Sequence, residues 1–311
     1  NDGISQSGKD ALDNAGFNIS TITVAQEQLA NHIQSNDIAV LLVRSATTVR
    51  KDLIDRCPNL KIIGRGGVGM DNIDVEYARS KGINVINTPA ASSSSVAELV
   101  FAHLYGGVRF LHESNRNMPL EGDSNFKKLK KAYAKGVELR GKTIGIVGFG
   151  RIGRETAKIA LGIGMKVLAY DKFLKEASIT LNFSHEKSVE FNIKISKFNY
   201  LLENSDFISL HVPAQKEFII DKKQFELMKD GVGIINAARG GVLNEVELIS
   251  ALDSGKVSFA GLDTFENEPK PEIKLLMHPN ISLTPHIGAA TNEAQDRIGK
   301  DLADQIPNIL N

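Results

Sequence analysis

Three residues of this chain have the side chains and surroundings needed to grip a carboxylate and move a proton. Arg239 stands in Ile234-Ile-Asn-Ala-Ala-Arg239-Gly-Gly, directly after an apolar run. Its planar guanidinium can hold a carboxylate through two parallel hydrogen bonds, which the point charge of a lysine cannot. His286 stands in Thr284-Pro-His286-Ile-Gly288, again just past an apolar run. An imidazole titrates near neutrality and suits proton exchange with a carbonyl or hydroxyl oxygen. Glu268, in Phe265-Glu-Asn-Glu268-Pro269, can fix the imidazole's orientation and favour its protonated form. Taken singly, each has a plainer explanation: a surface ion pair for Arg239, a solvated loop for Glu268, a buried backbone carbonyl to satisfy for His286.

A second constellation points to a bound dinucleotide. Gly148-Phe-Gly150-Arg151-Ile152-Gly153 follows the apolar run Thr143 to Val147 and opens an amphipathic stretch. In that context Gly148 allows a tight turn, Gly150 lets backbone approach a pyrophosphate, and Gly153 permits close helix-to-strand packing. The next apolar run, Met165 to Tyr170, ends at Asp171, about 20 residues on, where a carboxylate accepts ribose hydroxyls and repels a 2′-phosphate. NAD is thus preferred over NADP, although Lys172 adjoins, and a turn cap is the alternative role for Asp171.

These groups need a frame. Short Val- and Ile-rich runs bounded by Gly, Asn or Asp alternate with longer amphipathic stretches, the pattern of parallel strands covered by helices, so the fold class is α/β. One set of strands is predicted at Ile38 to Val43, Leu60 to Gly64 and Ile83 to Ile86. A second is predicted at Thr143 to Val147, Lys166 to Tyr170, Phe207 to His211, Val232 to Asn236, Phe259 to Leu262 and Ile281 to Leu283. Ser95-Val-Ala-Glu98 fits a capping box, so a long helix is predicted to begin there, and Ala290 to Leu310 has helical spacing that can return the chain to the first set. Glu176 to Lys197 shows no period to assign, and Phe126 to Lys135, dense in lysine, reads either as a solvated loop or as a source of positive potential that steers an acidic substrate.

Composition narrows the classes. At 311 residues the chain suits two medium domains with a cleft between them. Lys plus Arg and Asp plus Glu both number 37, so no global positive field marks a nucleic-acid or anionic-membrane binder. No apolar stretch reaches the roughly 18 residues of a spanning helix, no signal peptide opens the sequence, and the single cysteine, Cys57, excludes an intrachain disulfide. A cytoplasmic location is the default expectation. His32, His103, His112, His185 and His278 have no informative neighbours and read as structural or exposed; no pair of them has metal-ligand spacing, so no metal is predicted.

Together these motifs resemble the D-2-hydroxyacid dehydrogenase family over nearly the whole chain. The resemblance rests on Val43-Arg44-Ser-Ala-Thr, Gly64-Arg65-Gly-Gly-Val-Gly69-Met-Asp-Asn-Ile-Asp, Asn87-Thr-Pro, Ser95-Val-Ala-Glu98, Gly148 to Gly153, His211-Val-Pro213, Ala237-Ala-Arg-Gly-Gly, Gly261-Leu-Asp263, Glu268-Pro269 and His286-Ile-Gly-Ala289. It implies two doubly wound parallel-sheet domains, a Rossmann nucleotide domain over 94–288 and a smaller flavodoxin-like substrate domain over 1–93 and 289–311. It implies Arg239 as substrate ligand, His286 as acid/base and Glu268 as its partner, with NAD touched by Arg151, Ile152, Asp171, His211, Val212, Pro213, Ala237, Ala238, Arg239, Asp263, His286, Gly288 and Ala289 besides the glycines. The backbone of Gly66, Gly67 and Val68 would hold the substrate's carboxylate end, and a homodimer would form through the nucleotide domain.

Arg44 and Arg65 match positions that read the phosphate in members oxidising 3-phospho-D-glycerate, the reaction this resemblance favours; an ordinary surface pair is the alternative for either. Two further readings stay open: a glyoxylate or hydroxypyruvate reductase using the same trio, and a dinucleotide-sensing corepressor. Family members generally open with an apolar strand ahead of the Asn1 equivalent, so a first strand is expected to precede this sequence. Longer members carry a regulatory domain after the equivalent of Asn311, and feedback through one is not expected.

Overall fold

The computed structural model describes residues 1–184 and 186–310, so the reading of His185 lies outside the described residues. The polypeptide divides into two units, Asn1–Ser95 with Ala289–Asn311, and Val96–Gly288. Along the chain the first unit contributes α1 (Gln6–Asn14), α2 (Gln26–Ser35), β1 (Val40–Val43), α3 (Lys51–Arg56), β2 (Ile62–Arg65), α4 (Val75–Ser80) and β3 (Asn84–Asn87). Helix α5 (Ser93–Val108) leads into the second unit, which continues with α6 (Leu111–Glu121), α7 (Phe126–Ala132), β4 (Thr143–Val147), α8 (Arg151–Gly162), β5 (Lys166–Tyr170), β6 (Glu176–Asn182) and β7 (Ser188–Lys194). It is completed by α9 (Phe198–Asn204), β8 (Phe207–Leu210), α10 (Lys222–Leu227), β9 (Val232–Asn236), α11 (Glu245–Asp253), β10 (Val257–Leu262), α12 (Ile273–Met277) and β11 (Ile281–Leu283), before α13 (Asn292–Leu310) returns to the first unit.

In the first unit three parallel strands lie in the order β1-β2-β3, with Val43 opposite Arg65 and Arg65 opposite Asn87. One face of this sheet is covered by Leu29, Ile33, Leu53 and Ile54 of α2 and α3, the other by Leu12 of α1 and Ala303 and Ile306 of α13. Apolar residues on both faces are what a doubly wound parallel sheet requires.

The second unit has a six-stranded parallel sheet in the order β11-β10-β9-β8-β4-β5. Val100 and Leu104 of α5 and Ala157 and Ala160 of α8 cover one face; Leu201 of α9, Phe225 of α10 and Leu248 of α11 cover the other. Successive strands run outward from β4 in opposite directions, so β4 marks the switch point, and such a sheet receives ligands at the carboxyl ends of its strands.

Three local expectations are corrected. Glu176 to Lys197, unassigned from sequence, contains an antiparallel hairpin in which Ala177, Ile179 and Leu181 pair with Ile193, Phe191 and Val189. Ala177 and Ile179 are buried in the core shared with α8, and packing of that one face stabilises a hairpin that would be marginal alone. Helix α5 starts at Ser93, so Ser95 lies inside its first turn rather than at its cap. The lysine-rich stretch is not a plain loop: Phe126–Ala132 is a helix that buries Leu129 and leaves Lys127, Lys128, Lys130 and Lys131 exposed.

Candidate active site

The glycine loop is built by close approach. Gly148 has φ +94°, and a side-chain carbon there would stand 2.5 Å from the His211 carbonyl oxygen. One at Gly153 would stand 2.2 Å from the Gly148 carbonyl oxygen, so the loop and α8 close on each other only with glycine at both places. Gly150 differs, with nothing within 4 Å of such an atom. It is also the N-cap of α8 and offers no side-chain cap, so an anion over Gly150 would meet uncapped first-turn amides and the positive end of the helix dipole. A pyrophosphate therefore fits this cradle. Arg151 is exposed beside it and Ile152 packs partly on the core.

Asp171, at the end of β5, does two things. Its Oδ2 accepts from the Phe149 amide at 2.9 Å, and its Oδ1 from the Phe173 and Leu174 amides at 2.9 and 3.3 Å. The turn-capping role is thus present, and the carboxylate ties the glycine loop to β5; Oδ1 is filled by its two amides, and Oδ2, with one, keeps a lone pair for a ribose hydroxyl. Lys172 lies 5.9 Å over the ring of Phe173. His211 points inward: its Nε2 meets Ser209 Oγ at 2.8 Å and Thr156 Oγ1 at 3.3 Å, and burial pushes its pKa down to about 3. Only its backbone faces the glycine loop. Val212 packs against Gly148, and exposed Pro213 follows it.

At the carboxyl ends of β9, β10 and β11 the other predicted residues gather. Asn236 folds the loop that carries Arg239: its Oδ1 accepts from the Ala238 amide at 3.1 Å and its Nδ2 donates to the Arg239 carbonyl at 2.9 Å. Ala237 and Ala238 are buried there. His286 Nδ1 lies 2.9 Å from Glu268 Oε2, and both side chains are about two-fifths exposed, at 40% and 36%. Burial alone would raise the Glu268 carboxyl, but the His286 bond and charge, the Phe265 amide and nearby Arg239 hold it below the usual carboxylate range. The trio of Arg239, Glu268 and His286 is therefore brought together. Phe265, Pro269, Leu276, Leu283 and Pro285 join the His286–Glu268 pair in lining a cavity of about 400 Å³, an apolar wall that strengthens the electrostatics of the pair.

His286 has φ +55°, a conformation unusual for a residue with a side chain. Asp263 holds it there: buried at 1% exposure, its Oδ1 accepts from Ile287 N and its Oδ2 from Gly288 N, each at 2.8 Å. Thr284 Oγ1 donates its proton to Asp263 Oδ1 at 2.6 Å, so it can only accept from His103 Nε2 at 3.0 Å. His103 is accordingly protonated on Nε2 and accepts from Ser282 Oγ at 2.9 Å through Nδ1. Burial lowers its pKa against the opposing charge of Asp263. His103, read from sequence as structural or exposed, is buried and structural. Asn236 is a supporting residue that sequence reasoning missed, because its two short-range bonds follow from the fold of the loop rather than from any motif.

In the first unit, Arg65 ends β2 opposite Val43, and Arg44 directly follows β1, its side chain against Gly66. The Arg65 guanidinium occupies the space a Gly67 side chain would need, 1.5 Å from its first carbon, and its Nη1 donates to the Gly66 carbonyl at 2.9 Å. The Gly67 and Val68 carbonyls accept from Thr88 N at 3.1 Å and Asn87 Nδ2 at 2.7 Å. Ala289 also lies in this unit, its carbonyl accepting from Gln295 Nε2 at 2.7 Å. Among the described residues no group of three His, Cys, Asp or Glu could hold a metal, and no helix is long and apolar enough to cross a membrane.

A doubly wound sheet with a glycine cradle at its switch point, an acidic residue after the second strand and an imidazole–carboxylate pair defines a dinucleotide-dependent oxidoreductase. Residues 101–288 match the D-isomer specific 2-hydroxyacid dehydrogenase, NAD binding domain, and the chain belongs to that family of NAD-dependent D-2-hydroxyacid dehydrogenases. It is 45% identical over 275 residues to a hydroxypyruvate reductase of Thermotoga maritima, covering 87% of this chain and 84% of that protein. It is 40% identical over 310 residues to a D-3-phosphoglycerate dehydrogenase of Archaeoglobus fulgidus, covering 98% of this chain and 56% of that protein. A crystal structure of a glyoxylate reductase from Paecilomyes thermophila is similar at a TM-score of 0.81 and 28% identity, over 99% of this chain and 92% of that one.

Proposed function

We propose that the protein oxidises 3-phospho-D-glycerate to 3-phosphohydroxypyruvate, a reaction that feeds serine synthesis, and catalyses the reverse reduction. The His286–Glu268 contact of 2.9 Å carries the catalytic part of this reading. Neutral His286 takes the C2 hydroxyl proton through Nε2, and Glu268 at Nδ1 stabilises the imidazolium that results. Arg239 grips the carboxylate beside C2. NAD, when bound, accepts the C2 hydride. We assign the glycine cradle, Asp171 and the backbone from Ala237 to Arg239 to NAD, and Asp263 to holding the loop that presents His286.

Substrate choice is assigned to the first unit. Arg44, just past β1 and against Gly66, and Arg65, at the end of β2 and against Gly67, bring to this loop the cations that a phosphate dianion needs. The Gly66 amide is itself bonded to the Val43 carbonyl at 2.9 Å, so we assign the amides of Gly67 and Val68, whose carbonyls are engaged as acceptors, to the anionic group. The similarity to phosphoglycerate dehydrogenases over 98% of the chain supports the same substrate. The 45% identity to a hydroxypyruvate reductase favours a second reading, in which the same trio reduces the unphosphorylated keto acid. NADH oxidation with phosphohydroxypyruvate and hydroxypyruvate separates the two. Arg44→Ala is expected to raise KM for the phosphorylated compound by about tenfold to hundredfold, the loss of a charge-assisted bond, and to leave the other unchanged. Equal effects on both would sink the phosphate assignment.

We also infer a homodimer formed through the nucleotide unit. Tyr105, Leu111, Met118, Leu120 and Phe126 of α5 to α7 form a run of exposed apolar side chains, Leu120 at 80%, that a second copy would cover. Sedimentation should give twice the chain mass of 33.8 kDa, and the charged variant Leu120→Glu should return it toward the monomer.

A further inference from the structure

Outside the trio, one buried carboxyl group is built into the support of the site. Glu245, the first residue of α11, is 6% exposed. Its Oε1 accepts from the Glu266 amide at 2.8 Å, and its own amide donates to Glu266 Oε1 at 2.8 Å. Two residues from two elements thus exchange backbone-to-carboxylate bonds in a closed ring. The α11 side is firmly anchored: Asn244 caps the helix by accepting from Val246 N and Glu247 N, and its Nδ2 donates to Asp221 Oδ1 at 2.9 Å. The other side is the loop that carries Glu268 two residues on, where Phe265 N donates to Glu268 Oε1 at 3.0 Å and so leaves Oε2 for His286. The Arg239 loop rests on the same segment, since a side-chain carbon at Gly240 would fall 1.8 Å from the Phe265 carbonyl oxygen.

We propose that Glu245 is a positioning residue: its reciprocal clamp with Glu266 fixes loop 265–269 so that Glu268 reaches His286 in the right orientation. The inference rests on the assignment of His286 and Glu268 above. The charges facing Glu245 are the carboxylates of Glu266, Glu268 and Glu272 from the loop, with Arg239 lying beside Glu268. Burial, assisted by these like charges and opposed by the Glu266 amide, pushes the Glu245 pKa up to about 7. The group is thus largely neutral below that pH, which spares Glu268 a further negative neighbour.

The test compares Glu245→Ala, Glu245→Gln and Glu266→Ala in NADH-dependent reduction of a 2-keto acid across pH. Glu245→Gln keeps the acceptor oxygen and should retain kcat within about threefold. Glu245→Ala should lower kcat about tenfold to a hundredfold, the scale of an ångström-level misplacement, with KM for NADH within about twofold. Its pH profile should differ from the parent's, because a loosened Glu268 no longer fixes His286. Glu266→Ala changes an exposed side chain and should shift activity in the same direction even where Glu245→Ala fails to fold. Amide exchange gives a readout free of activity: the Glu266 amide should be protected in the parent and in Glu245→Gln, and lose protection in Glu245→Ala. A parent that turns over no 2-keto acid defeats the enzymatic reading, while protection lost at Glu266 still upholds the clamp. Unchanged kcat and pH profile in Glu245→Ala, equal damage from Ala and Gln, or an unprotected Glu266 amide in the parent overturns the proposal.

Discussion

At the scale of single residues, the structure separates groups that face a reacting atom from groups that hold them. His286 is half exposed, held at φ +55° and bonded through Nδ1, which leaves Nε2 as the atom that can exchange a proton with a ligand. His286→Ala is therefore expected to lower kcat by about 10²- to 10⁴-fold, the usual contribution of a general acid/base, with NADH binding retained. Stopped-flow hydride transfer and NADH fluorescence titration check the two halves of that statement, and near-parent turnover would remove His286 from the reaction. Arg239, Glu268 and His286 were legible because each directly follows an apolar run or shares a short motif with a proline. The partners of His103 and Glu245 were not, since they are hydroxyls and an amide brought near only by folding, and the short-range bonds of Asn236 depend on a loop conformation that no motif announces. His103, for instance, finds Thr284 across 181 positions. Asp171 was read correctly as lying after the second strand, but the three amides it caps follow from loop geometry that spacing does not reveal.

At the scale of elements, the glycine loop supplies a contrast that tests how the cofactor is held. Gly153→Ala places a carbon 2.2 Å from a carbonyl oxygen, so α8 must move away from β4, with an expected loss of about 1–3 kcal/mol of stability and weaker NADH binding. Gly150 has φ −73° and open space beside it, so Gly150→Ala should leave the melting temperature unchanged and weaken NADH binding alone. Equal NADH affinity in Gly150→Ala and the parent would place the pyrophosphate elsewhere. The strands of both sheets were legible to within about two residues, because parallel strands buried on both faces read as continuous Val and Ile runs bounded by polar residues. The β6–β7 hairpin was not. Its apolar positions do alternate, but Leu181 and Val189 pair at the outer end of the hairpin, where Val189 is exposed, and only contact with α8 tells which side faces inward.

At the scale of the whole molecule, the equal counts of 37 acidic and 37 basic residues mean that pH dependence comes from individual perturbed groups rather than net charge. Glu245 is the largest such carboxyl, raised from 4.5 in the unfolded chain to about 7. For an acid whose folded pKa is raised, the unfolded chain gives up its proton first as pH rises. The stabilisation is complete below about 4.5, declines between 4.5 and 7, and is absent above. The lowered pKa of Glu268 acts in the opposite sense at acid pH, but it is common to parent and variant and cancels in their difference. Glu245→Gln, which keeps the clamp acceptor and cannot ionise, should therefore gain on the parent as pH rises. The difference in unfolding free energy between the two should be about 1–3 kcal/mol larger at pH 8 than at pH 5. Chemical denaturation at both pH values, followed through the unfolding of the nucleotide unit, measures it. A difference that stays flat with pH would mean that Glu245 ionises in the folded protein as it does in water, and that burial beside Glu266, Glu268 and Glu272 leaves its charge uncontested.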